Sequence, residues 1–180
     1  MRRFLVLSAI VAFLFISVKE TKAQDTPILL GGNVLINAPV GDFGDLANLS
    51  FGFNAKGEFG VAENISIIGQ IGFIPWSIDS DIYDNYSYST LMIRAGGRYY
   101  LSAEEFRPYI EGDLGYYSHT ISYDSQFGEF DDTDSDIGIR LAGGGMLELS
   151  PGLFLNGELG FNIVSEANFI EIQAGVMFAI

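Results

Sequence analysis

Residues 49–61 alternate without a fault between apolar and polar side chains, and this pattern restricts the chain more than any other. Leu49, Phe51, Phe53, Ala55, Gly57, Phe59 and Val61 carry no polar side chain, while Ser50, Gly52, Asn54, Lys56, Glu58 and Gly60 carry no large apolar one. Successive side chains of a strand point to opposite faces, so a strand here has one greasy face and one polar, charged face. A strand of about 9–11 tilted residues crosses a bilayer, and this one is long enough. With lysine and glutamate on one side and phenylalanine on the other, its apolar face belongs against lipid.

The same two-residue period predicts seven more strands, at about 28–37, 64–74, 88–101, 108–121, 136–149, 153–163 and 168–180. In the third, Ile68 and Ile74 blur the polar face, and Pro75 is expected to end the strand because it cannot donate to a ladder. An even number of antiparallel strands closes the sheet, as hydrocarbon demands, since an open edge would leave backbone groups unpaired. The predicted fold is all-β: an eight-stranded antiparallel transmembrane up-and-down β-barrel. Its connections alternate in length. Those at Val61–Asn64, Ser102–Arg107 and Ser150–Gly152 are short, as periplasmic turns are; those at Ala38–Asn48, Ser77–Ser87 and Ser122–Ser135 are long and rich in Asp, Gly and Ser, as extracellular loops are. Val164–Ala167 is short and breaks the alternation. Trp76, Tyr99, Tyr100, Tyr116 and Tyr117 fall near strand ends, where aromatic belts are expected.

Residues 1–23 read as a secretory signal peptide: Arg2 and Arg3, an apolar run from Phe4 to Val18, then Thr21-Lys22-Ala23. Residues 24–180 form the barrel domain. Removal of the signal peptide takes away four of nine basic residues and one of 23 acidic ones, leaving a net charge of −17. Phosphate binding needs a Lys/Arg surface that is absent here, which argues against a nucleic-acid partner. The mean hydropathy of +0.27 is odd for so acidic a soluble domain and fits a lipid-facing body with acidic ends. The absence of cysteine excludes disulfides, thiol chemistry and a lipid-modified N-terminus. A secreted barrel of the lipocalin kind is the rival fold. It would carry Gly-x-Trp near its start, but the only tryptophan, Trp76, follows Ile74-Pro75.

The strand-turn-strand sequence Arg94-Ala95-Gly96-Gly97-Arg98-Tyr99-Tyr100-Leu101, followed by Arg107-Pro108-Tyr109-Ile110-Glu111-Gly112-Asp113-Leu114-Gly115-Tyr116, resembles a hallmark of the small outer-membrane β-barrels of Gram-negative bacteria. This is the OmpX/OmpA-like group often described as porin-family proteins. Ala38-Pro39-Val40-Gly41-Asp42-Phe43 resembles the first loop of that group. The resemblance spans residues 24–180 and implies an outer-membrane location, the barrel insertion machinery as a partner, and contact with outer-membrane lipid and lipopolysaccharide. Such proteins often end on an aromatic residue, whereas Phe178 here precedes a terminal Ile180 by two positions. The group is defined by its barrel rather than by a site, so its likeness says little of function.

The polar faces supply the candidate site. Lys56, Glu58, Arg94, Arg98, Glu111, Asp113, Arg140, Glu158 and Glu171 are expected to meet in the lumen as a charge network, with Arg98 near Glu111 and Arg94 near Asp113. The interior of an eight-stranded barrel is just wide enough for side chains to fill it, which favours a plug over an ion path. His119 is the sole histidine, but His119-Thr120-Ile121 lacks the His-x-Ser pattern of lipid A deacylating barrels. Asp132, Asp134 and Asp136 alternate as in a calcium loop, yet Ile137 and Gly143 stand where an EF-hand needs Gly and Glu. Neither a metal nor a cofactor is expected. The outer loops interleave acids with aromatics: Asp79, Asp81, Tyr83, Asp84 and Tyr86, then Phe127, Glu129, Phe130, Asp131, Asp132 and Asp134. Exposed loops on a rigid scaffold are where binding usually resides. The expected function is a non-enzymatic, monomeric barrel that serves as a structural or surface-interaction protein toward an unknown extracellular partner. A narrow diffusion pore and a lipid A-modifying enzyme are the alternatives.

Overall fold

A computed structural model of the chain describes residues 28–78, 86–102, 104–125, 128–165 and 167–180. The signal peptide expected at 1–23 lies outside them. Eight long strands form the body: β1 (Ile28–Pro39), β3 (Ser50–Ala62), β4 (Ile65–Ile78), β5 (Tyr86–Tyr100), β6 (Phe106–Ser125), β7 (Gly128–Ser150), β8 (Leu153–Ile163) and β9 (Phe169–Ala179). All pair antiparallel in the order β4-β3-β1-β9-β8-β7-β6-β5, and β4 pairs with β5 to close the cylinder. A two-residue strand, β2 (Ala47–Asn48), is hydrogen-bonded to the end of β4 at Ile78 and Ser77.

The predicted alternation is realised as two faces. Phe51, Phe53, Phe59, Ile67, Ile71, Leu114, Leu141 and Leu159 are each at least half exposed on the outer face, so the apolar set turns outward. Lys56, Glu58, Arg94, Arg98, Arg140 and Glu171 are buried. The core of this molecule is therefore polar and its surface apolar, the inverse of a water-soluble domain. Short turns join strands at one end. At Ser150-Pro151-Gly152-Leu153, Gly152 takes φ 81°, which Gly alone adopts without strain and which suits the second central position of a type II turn after Pro. The end with the longer connections is the outer end.

Several boundaries differ from expectation. Pro75 does not end its strand: β4 runs on to Ile78, and Pro75 pairs with Ser89 of β5. Pairing with β3 stops at Phe73, so Pro75 occupies an edge position, where a missing donor is tolerated. Most of the stretch 122–135 is strand rather than loop, since β6 and β7 stay paired from Phe106↔Leu147 to Ser125↔Gly128. Residues 38–48 hold a one-turn 3₁₀ helix (Gly41–Asp45) and β2. Of the aromatics expected in belts, Tyr99 and Tyr116 are exposed, whereas Trp76 and Tyr117 are buried and Tyr100 is half-buried. Neighbouring residues of one strand cannot share a face, so the pairs Tyr99-Tyr100 and Tyr116-Tyr117 are split between lipid and lumen.

Candidate functional site

Among the described residues, charged side chains from six of the eight long strands meet in the lumen. β3 supplies Lys56 and Glu58, β5 Arg94 and Arg98, β6 Glu111 and Asp113, β7 Arg140, β8 Glu158 and β9 Glu171. All nine are at most 5% exposed. Glu111 lies at the centre. It accepts hydrogen bonds from Lys56 Nζ (3.3 Å), Gln70 Nε2 (2.9 Å), Arg98 Nε (2.9 Å) and Arg140 Nη1 (3.0 Å). Glu158 is bonded by Lys56 Nζ at 2.9 Å, by the Tyr109 hydroxyl at 2.8 Å and by Arg140 Nη2. Glu58 takes Arg98 Nη1 at 2.7 Å and the Tyr100 hydroxyl at 2.5 Å. The Arg98 guanidinium also sits 3.7 Å from the centroid of the Tyr109 ring, a cation–π contact.

The expected pair Arg98–Glu111 forms, at 2.7 Å, because the two residues are direct partners across β5 and β6. Arg94–Asp113 does not. Arg94 lies opposite Gly115, and Asp113 opposite Gly96. Arg94 instead crosses the lumen to Glu171 at 3.0 Å, and Asp113 takes Arg140 at 3.1 Å. Glycine makes room for this. A Cβ at Gly160 would lie 2.7 Å from the Arg140 guanidinium, and one at Gly96 would collide with Asp113 Oδ1. The buried set counts five carboxylates (Glu58, Glu111, Asp113, Glu158, Glu171) against four cations (Lys56, Arg94, Arg98, Arg140). Asp113 is the least supported of the five, with Oδ1 bonded to no described residue.

Sequence reasoning left out three features of this interior. The first is an amide network: Asn33 donates to Asn54 (2.7 Å), Asn54 to Gln70 (3.0 Å) and Gln173 (3.1 Å), and Asn156 to Asn33 (3.2 Å). These residues share the polar parity of the charged ones, which was the available signal. The second is an apolar layer at the inner end, built by Leu29, Tyr109, Met146, Phe154 and Met177. The third is an aromatic layer at the outer end. There the 3₁₀ segment lowers Phe43 against Trp76 (4.8 Å between ring centroids) and Tyr88 (5.9 Å), and Phe169 packs on Trp76 at 5.3 Å.

His119 lies at this outer end and is buried. Its Nδ1 is 2.8 Å from both the Tyr88 and the Thr90 hydroxyls, and Trp76 Nε1 donates to Thr90 at 2.8 Å. Ser118 and Ser122 fall on the opposite face of β6 by the strand period, away from the imidazole. Of the outer-loop residues, Asp79, Asp81, Tyr83, Asp84 and Phe127 lie outside the described residues. The backbones of Tyr86, Glu129 and Phe130 are strand, at the outer ends of β5 and β7. Asp131, Asp132 and Asp134 are exposed on β7.

Residues 8–179 match the model of the outer membrane protein beta-barrel domain. The chain belongs to this family. It is accordingly an integral protein of the outer membrane. Among solved structures it is similar to Neisserial surface protein A (15% identity, TM-score 0.66, covering 85% of this chain and 97% of that one). It is also similar to Ail, the attachment invasion locus protein of Yersinia pestis (13%, TM-score 0.58, 86% and 97%). A third is the N-terminal β-barrel domain of Pseudomonas aeruginosa OprF (10%, TM-score 0.52, 84% and 97%). At these identities the likeness speaks for the fold alone. No curated protein matches the sequence.

Proposed function

We propose that the protein is a closed outer-membrane barrel that acts as a structural or surface-interaction element through its outer end. The observation that carries this reading is the filling of the lumen. An apolar layer, a cross-linked layer of nine charged side chains and an aromatic layer follow one another along the axis. A solute crossing it would have to separate ion pairs as close as 2.7 Å inside a buried environment. That supports a plug over a diffusion pore. The bonding of His119 Nδ1 to two hydroxyls, with Ser118 and Ser122 turned away, supports a non-enzymatic role over lipid A modification.

What remains for function is the outer rim, where Asp131–Ser135 stand exposed on β7. Ail was solved with a heparin analogue, sucrose octasulfate; the acidic rim here suits cationic groups instead, or divalent ions shared with lipopolysaccharide phosphates. The test is to replace Gln126–Ser135 with a short Gly-Ser linker in cells. The variant is expected to keep its heat-dependent gel mobility, because it gives up only the outermost β6–β7 pairs and keeps that ladder from Tyr117↔Asp136 inward together with all the others, and to lose surface binding or membrane integrity. Uptake of small hydrophilic solutes is expected to be the same with and without the protein. Full retention of every surface phenotype, or uptake that depends on the protein, would contradict the proposal.

A further inference from the structure

β7 continues past its neighbour. It pairs with β6 out to Ser125↔Gly128, but with β8 only as far as Ile139↔Ile163. The chain turns back at once after β8, which ends at Ile163, and β9 begins at Phe169. Among the described residues, the stretch Gly128–Gly138 therefore has a strand partner on one side alone. Successive strand residues send their N–H and C=O groups to alternate sides, so every second residue here offers an unpaired donor and acceptor. Such an edge is a template for another strand.

The side chains specify what kind of strand. Asp132, Asp134 and Asp136 project from one face of this stretch, and Asp131, Thr133 and Ser135 from the other. Asp131–Ser135 are exposed. No lysine or arginine of the barrel domain offsets them; His119, opposite Asp134 on β6, is held by the Tyr88 and Thr90 hydroxyls. Lys56, Arg94, Arg98 and Arg140 are consumed in the lumen, and Arg107 pairs with Glu148 at the inner end, at 3.4 Å. A second copy of the chain would set carboxylate against carboxylate, and like charges on adjacent strands repel. We infer that the free edge of β7 takes up, by strand addition, an extended lysine- or arginine-bearing segment of an extracellular protein. This rests on the surface-interaction reading above and gives the partner its chemistry: backbone pairing holds the segment, and alternate cations select it.

The probe is a peptide of about ten residues alternating lysine with threonine or valine, long enough to follow the edge at about 3.3 Å per residue. It is titrated into the full barrel in phosphatidylcholine nanodiscs. Saturable binding is expected, weakened roughly tenfold or more when alternate peptide nitrogens are methylated, the scale of a few lost hydrogen bonds. A comparable loss is expected for the protein variant Asp132→Asn/Asp134→Asn/Asp136→Asn, whose fold is checked by gel mobility. Absence of binding, equal affinity for the methylated peptide, or a dimer of the barrel formed through this edge would overturn the inference. The titration uses the isolated barrel, so the cellular phenotypes of the linker variant stand or fall separately.

Discussion

Within the lumen, single side chains differ in what their loss should cost. Arg98 serves Glu58, Glu111 and Glu158 at once, at 2.7, 2.7 and 3.3 Å. Truncating it leaves buried carboxylates short of their shared cation, and breaking a buried pair from one side costs about 3–5 kcal/mol. Arg98→Ala is expected to lower the urea midpoint of the refolded barrel accordingly, followed by heat-dependent gel mobility. The carboxylates should rank in the same way. Glu111→Gln removes a charge paired with three cations, Lys56, Arg98 and Arg140, whereas Asp113→Asn removes one that touches Arg140 alone in a set already one carboxylate in excess. Asp113→Asn should therefore be the milder change; a midpoint for it as low as that of Glu111→Gln would contradict this picture of the network.

At the scale of elements, one loop side chain joins the aromatic layer at the outer end. Phe43 hangs from a 3₁₀ turn anchored by Val40 N to Asn168 O (2.9 Å) and by the short β2 pairing, and it packs on the only tryptophan. Phe43→Ala is expected to shift Trp76 emission to the red and to speed proteolysis of residues 41–48, with the barrel intact; unchanged emission would contradict the packing of Phe43 on Trp76. The strands themselves were legible because the lipid and lumen faces impose a strict period of two on every crossing. Beyond the membrane that pressure stops. Ser122–Ser135 carries polar groups on both faces, so alternation says nothing there, and the outermost residues of β6 (122–125) and β7 (128–135) read as loop. Register was legible for Arg98 and Glu111, which flank a short turn. Pairs such as Arg94–Glu171 span the lumen between strands that are not neighbours, and no local pattern encodes them. Phe43 was hidden for a similar reason: nothing in a loop sequence tells which way one aromatic turns.

For the whole molecule, the inverted arrangement of apolar surface and charged interior accounts for both placement and behaviour. The lipid-facing belt holds the barrel in the outer membrane, and the closed ladder leaves no sheet edge in hydrocarbon. The interior, freed from contact with lipid, is filled with ion pairs and amides that cross-link the strands from within. Purified barrel reconstituted into a planar bilayer is the most direct test of the closed lumen. Little or no steady conductance above the bare membrane is predicted for the unmodified protein. A large, stable, ohmic open state would contradict it.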